Sequence, residues 1–166
     1  MVVFPNAKIN LGLNVTSKRD DGFHNIQSVF YPIPYCDALE VVKAEKSVFR
    51  YEGLSIPGNT NLVEQAYDFL KEDYDLAPIE SILLKGIPIG GGLGGGSSDA
   101  AFMLKVLNSL FGLELNHDQL ITYALMLGSD CAFFIRNEPA IISGKGEEIK
   151  SADVSLDDQQ LIIAQF

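Results

Sequence analysis

The sequence predicts an α+β domain, and three observations lead there. Apolar and polar residues alternate with period two early in the chain, the spacing turns helical after residue 60, and 166 residues at 47% hydrophobic supply one packed core. Residues 7–15 place Ile9, Leu11, Leu13 and Val15 on one side and Lys8, Asn10 and Asn14 on the other. That is the pattern of a half-buried strand. Thr16 to Asp21, closed by Gly22, reads as a turn, and Phe23 to Ile33 as extended chain. Ala38–Ala44 with Ser47–Tyr51 reads as a further strand pair.

Leu62, Val63, Ala66, Phe69 and Leu70 then recur at helical spacing, with Asn59 or Thr60 as the expected N-cap. Ser81 to Leu84 form a short apolar run. A second helix is expected from Ser97 through Ala100, Ala101, Leu104, Leu107 and Leu110, stopping at Gly112. A third opens at Asn116, whose capping-box partner is Gln119, and stops at Gly128. Cys131–Ile135, Ala140–Ser143 and Leu161–Ala164 read as strands.

Twenty-two acidic residues against 12 Lys and Arg give a net charge of −10. A nucleic-acid groove needs clustered cations and is not expected. Cys36 and Cys131 sit in apolar stretches and read as reduced thiols. No basic-then-apolar leader and no apolar run near ~18 residues stands in the sequence. A soluble, cytoplasmic chain is expected, without a membrane partner. His117, Glu147-Glu148 and Asp157-Asp158 read as surface, and no His/Cys cluster has zinc spacing.

Residues 88–99 hold the most specific signal: Pro-Ile-Gly-Gly-Gly-Leu-Gly-Gly-Gly-Ser-Ser-Asp, with six of the chain's 15 glycines between 90 and 96. Glycine admits positive φ and close backbone approach. A tight loop entering a helix aims several N–H groups at one point, where the helix dipole favours an anion. A flexible linker is the plainer alternative, but Leu93 has no reason to interrupt one. Gly90, Gly92 and Gly95 match G-x-G-x-x-G only formally, since so glycine-rich a run fits almost any such pattern. The lysine of a Walker A loop, the protein-kinase motif set and the second-strand acid of a Rossmann site are all missing.

This segment resembles the second motif of the GHMP kinases, the small-molecule kinases that include galactokinase, homoserine kinase and mevalonate kinase. Two further stretches agree in order: Ala7-Lys-Ile-Asn-Leu-Gly-Leu-Asn-Val15 with Asp21-Gly-Phe-His24, and Leu127-Gly-Ser-Asp-Cys-Ala-Phe-Phe134 with Gly144-Lys-Gly-Glu147. Asn61-Leu-Val63 also fits, and the likeness is collinear from Pro5 to about Glu147. The variant is similar to the branch that phosphorylates the 2-hydroxyl of cytidine diphosphate-linked methylerythritol with ATP, in non-mevalonate isoprenoid synthesis.

The resemblance implies a mixed sheet with helices on one side, the GHMP N-terminal domain (of the ribosomal protein S5 domain 2-like kind), over residues 1–160. Residues 161–166 would start a second domain, so that the 166 residues form part of a longer enzyme and turn over poorly alone. It implies Lys8 and Asp130 as catalytic residues. Alone, these read as a solvated strand lysine and a turn acid. Asn10, Phe23 and His24 are implied at the substrate, the aromatic-His pair gripping cytosine, with Phe23 where the family more often has Tyr. ATP and Mg²⁺ are the implied cofactors. Asn61, Lys85, Gly90, Gly91, Gly92, Leu93, Gly94, Gly95, Gly96, Ser97 and Ser98 are implied on the nucleotide side. Ser97 or Ser98 would face Mg²⁺, with simple helix capping as the alternative. Another GHMP kinase or a non-catalytic nucleotide-binding domain are the other functional readings.

Overall fold

The computed structural model describes residues 1–20, 22, 24–57 and 61–164. Strands come first and helices later, as the periodicity predicts. β1 (Val2–Val3), β2 (Asn6–Lys18), β3 (His24–Cys36), β4 (Ala38–Lys43) and β5 (Val48–Gly53) precede α1 (Leu62–Tyr74) and β6 (Ile79–Lys85). α2 (Gly95–Phe111), α3 (His117–Leu127), α4 (Ser129–Arg136), β7 (Ala140–Ser143) and β8 (Glu148–Ser151) complete the described chain. The strands form two four-stranded sheets, ordered β1-β4-β6-β5 and β2-β3-β7-β8.

β4 and β5 are not a pair. β6 lies between them, antiparallel to β4 and parallel to β5. A parallel pair needs a crossover, and α1 supplies it between β5 and β6. The expected Thr16–Asp21 turn begins late, because the β2–β3 ladder continues to the pair Lys18–His24. Register shifts interrupt it between Asn10 and Leu13 and between Val15 and Ser17. The alternation in β2 is half misleading. Lys8 is buried, whereas Leu13 and Val15 are 55% and 62% exposed, since this half of the hairpin runs past the core.

α1 is capped by Asn61, whose side chain accepts from Val63 N at 2.9 Å; Asn59 and Thr60 lie outside the described residues. The capping box Asn116–Gln119 forms as expected. Cys131–Ile135, expected as a strand, is helix α4. All five residues are buried, so the run lacks the polar face that marks an amphipathic helix. Leu161–Ala164, also expected as a strand, forms no regular structure.

The main core gathers Leu39, Val41 and Leu83 from the first sheet, Phe30 and Ile142 from the second, and Tyr67, Leu70, Leu104, Leu107 and Phe133 from the helices. α2 packs against α1, α3 and α4. Its N-terminus therefore emerges from the middle of the molecule.

Candidate active site

A cleft of about 410 Å³ opens where β2, the end of β6, the glycine cluster and the start of α4 meet. Leu93 explains how the cluster is held. It is 9% exposed and packs with Ala7, Ile33 and Ile87 in a small second core. Its carbonyl accepts from Lys8 N at 2.9 Å. Gly90, Gly92 and Gly94 have φ of 78°, 74° and 69°, a conformation that favours glycine. The cluster is thus a folded loop anchored at its leucine.

α2 starts at Gly95, two residues before the expected Ser97. Its N-cap is Gly94, with no side-chain cap bond. Ser97 and Ser98 therefore lie inside the first turns and are not caps. The first-turn amides are left to a ligand or to water. Ser97 lines the cleft; Ser98 does not, and its hydroxyl is buried without a partner. Gly91 is likewise absent from the lining, while Asn61, Lys85, Gly90, Gly92, Leu93, Gly94, Gly95 and Gly96 border it.

Lys8 and Asp130 meet across this cleft. Lys8 Nζ lies 3.4 Å from Asp130 Oδ2, with the lysine side chain 5% exposed and the acid 33%. The ammonium donates to Asn10 Oδ1 at 2.6 Å and stands 4.0 Å from the centroid of the Phe30 ring. Burial holds Lys8 below the usual lysine range, and Asp130 opposes that shift. Asn10, expected at the substrate, thus has its side-chain oxygen on Lys8.

Lys85 is equally buried and differently matched. Its ammonium donates to Asp37 Oδ2 and, at 2.8 Å, to Asp99 Oδ2. Burial raises the Asp99 carboxyl to about 7, against the pull of Lys85. Asp99 Oδ1 is buried without a partner although the residue borders the cleft. Sequence reasoning missed Asp37, which lies 48 residues from Lys85 and follows no motif.

His24 is not brought to the cleft. It is exposed at the far end of the hairpin, opposite Lys18; Phe23 lies outside the described residues. Ten residues of strand separate Lys18 from Lys8, a span of at most about 33 Å. The loop after β7 links the two regions. Gly144 O accepts from Ile26 N at 2.7 Å, and Gly146 lies so close to Ser129 that a Cβ there would fall 2.9 Å from the Ser129 Cβ. Cys36 and Cys131 are free, the first exposed and the second buried. Among the described residues, no group of three or more His, Cys, Asp or Glu is placed to hold a metal ion. No described helix is long and apolar enough to cross a membrane.

A folded glycine loop entering α2, with an acid on α4 facing a strand lysine, defines a class. Residues 61–138 match the family model for the GHMP kinases N terminal domain, and the chain has the GHMP kinase N-terminal fold. Among its relatives, the 4-diphosphocytidyl-2-C-methyl-D-erythritol kinase of Parabacteroides distasonis is 50% identical over 99% of this chain and 62% of its own length. The kinase of the same name from Bacteroides thetaiotaomicron is 53% identical over 98% of this chain and 62% of its own length. The chain therefore spans under two thirds of the curated relatives it matches. A crystal structure of 4-(cytidine 5'-diphospho)-2C-methyl-D-erythritol kinase superposes with a TM-score of 0.81 at 35% identity, covering 93% of this chain and 56% of that one. The phosphomevalonate kinase of Streptococcus pneumoniae has a TM-score of 0.64 at 13% identity over 86% of this chain and 48% of its own, a likeness of fold alone.

Proposed function

We propose that this chain carries the ATP-binding and phosphoryl-transfer site of a kinase acting on the 2-hydroxyl of cytidine diphosphate-linked methylerythritol. One observation carries the proposal: Lys8 and Asp130 face each other in the same cleft that the glycine loop borders. The domain proposed for this task is residues 1–160.

Polyphosphate needs a positive cradle, and a chain at −10 cannot offer a broad basic surface. The uncapped first turn of α2 and the positive-φ glycines supply backbone N–H groups instead. Ile56 and Leu62, beside Asn61, give the cleft an apolar wall that suits a base. Asp130 takes the proton from the attacking hydroxyl as its oxygen bonds the γ-phosphorus and the bond to the bridging oxygen of ADP breaks. The Lys8 ammonium, 3.4 Å from Asp130 Oδ2, favours the developing alkoxide. Asn10 orients that ammonium, and Phe30 supports it from below.

Mg²⁺ would be held by the Ser97 hydroxyl with Asp130 or Asp99 nearby, all hard oxygen donors. The unpartnered Asp99 Oδ1 fits a site completed by a ligand. The ion would neutralise charge on the phosphates. His24, with Phe23 beside it in sequence, is assigned to the cytosine, and the hairpin length suits a long, diphosphate-bridged substrate. The substrates are soluble nucleotides, so we assign the activity to the cytoplasm.

The test supplies the chain with ATP, Mg²⁺ and the cytidyl substrate and follows the new phosphomonoester by ³¹P NMR. Lys8→Met and Asp130→Asn are each expected to lower the rate by about 10²–10⁴, with ATP affinity changed far less. ATP binding without any phosphomonoester, both in this chain and in a version carrying any C-terminal continuation, would favour the non-catalytic nucleotide-binding reading. Equal rates with mevalonate or homoserine would favour a different GHMP kinase.

A further inference from the structure

The cluster of Asp37, Lys85 and Asp99 lies under the glycine loop, and Asp37, unlike the other two, does not border the cleft. Asp37 is 2% exposed and stands between β3 and β4. Its Oδ1 accepts from Gly86 N at 2.6 Å and from Ile87 N at 2.8 Å, where the chain leaves β6 for the loop. Its Oδ2 accepts from Lys85 Nζ, which also donates to Asp99 Oδ2 in α2, beyond the loop. Tyr35 Oη donates to Gly86 O at 2.7 Å from the same side. At Gly95 a Cβ would fall 2.7 Å from Lys85 Nζ, so α2 sits directly on this ammonium.

We propose that Asp37 is a positioning residue for the nucleotide phosphates, setting the shape of the glycine loop by clamping both of its ends. The inference rests on the nucleotide-binding function proposed above. One carboxylate fixes two successive amides at the start of the loop and, through Lys85, the first turns of the helix at its end. Cohesion alone does not call for charges here. Three apolar side chains would fill the same space without desolvating ions. Directed hydrogen bonds to named backbone amides are what apolar packing cannot supply. The loop can then present its N–H groups already aligned, which spares the ordering cost on binding.

Asp37→Asn separates this role from general stability. The asparagine oxygen can still receive the Gly86 and Ile87 amides, while its NH₂ faces the Lys85 ammonium, donor against donor. Hydrogen exchange by mass spectrometry is expected to quicken at least tenfold in peptides covering 84–100 and to stay within twofold in α3 and β2. ATP affinity is expected to fall at least tenfold, and adenosine affinity less than threefold. Asp99→Asn leaves Asp37 on both amides and serves if the first variant does not fold. It is expected to quicken exchange at 94–98 and to leave 86–87 protected. Unchanged exchange at 84–100, a uniform rise across the chain, or equal losses for ATP and adenosine would overturn the inference. A wild-type chain that binds no ATP overturns the nucleotide reading and this inference with it; an unchanged exchange pattern sinks the inference alone.

Discussion

Two lysines flank the glycine loop, each 4% exposed, and their surroundings are opposed. Lys85 sits between two buried carboxylates. Lys8 has one carboxylate at 3.4 Å, itself a third exposed, an amide oxygen and a ring face. A buried ammonium carries three donors and must be matched or lose its charge. Lys85 is matched by the protein, and Lys8 only in part, which leaves it able to answer a charged ligand. Burial therefore does not by itself separate a scaffold lysine from a working one. The number and depth of the facing carboxylates do.

The largest effect expected from breaking this contrast is at Lys85. Lys85→Met leaves Asp37 and Asp99 buried without their cation and is expected to cost about 3–5 kcal/mol in urea unfolding. Lys8→Met leaves only Asp130, which reaches water, and is expected to cost under about 1 kcal/mol. Equal losses from the two variants would mean that the two environments do not differ as described.

Much of this was legible in the sequence. The glycine loop, the start and stop of α3 at Asn116 and Gly128, and the Lys8–Asp130 pair all come from local motifs or from the resemblance they carry. The rest depends on pairings that no local pattern encodes. β6 inserts between β4 and β5 only because α1 carries the chain across, and Asp37 meets Lys85 because that insertion sets Ala38 of β4 opposite Leu84 of β6. α4 reads as a strand in the sequence because five consecutive buried residues look the same in a strand and in a buried helix. The signs of its ends were present, in Gly128 before it and in Asn137 after it, where φ is 58°. Lys8 is buried on the face that the alternation marks as polar, while Leu13 and Val15, on the face it marks as apolar, are exposed.

The glycines between the two lysines sharpen the contrast one step down in magnitude. At Gly94, φ is 69° and a Cβ would lie 3.0 Å from the Phe134 ring and 3.1 Å from Lys8 Cγ. At Gly95 it would meet Lys85 Nζ at 2.7 Å and Ile87 at 2.9 Å. Each Gly→Ala change is expected to cost about 1–3 kcal/mol through overpacking, with the left-handed φ making Gly94 the dearer. Gly96, with open space around it, is the control. There alanine is expected to be neutral or to stabilise by up to about 1 kcal/mol through helix propensity. Thermal unfolding of the three variants checks this, and a Gly96→Ala loss equal to the others would remove the steric argument.

Lys105 extends the series to a lysine matched by backbone. Its ammonium donates to Phe134 O at 3.0 Å and Ile135 O at 3.4 Å, at the end of α4, and stands 4.2 Å from the Phe102 ring centroid. Burial lowers its pKa to about 8. Below that pH the folded and unfolded chains both hold the proton, so this group adds no slope. From about 8 to the unfolded value near 10.4, only the unfolded chain holds it, unfolding takes up a proton, and stability rises with pH. The gain is expected to be about 1 kcal/mol once the solvated part of the side chain is discounted. Urea unfolding of the wild type and Lys105→Met at pH 7.5, 9 and 10.5 isolates it, since other titrations cancel in the difference. A difference that stays constant across this window would place Lys105 with ordinary solvated lysines.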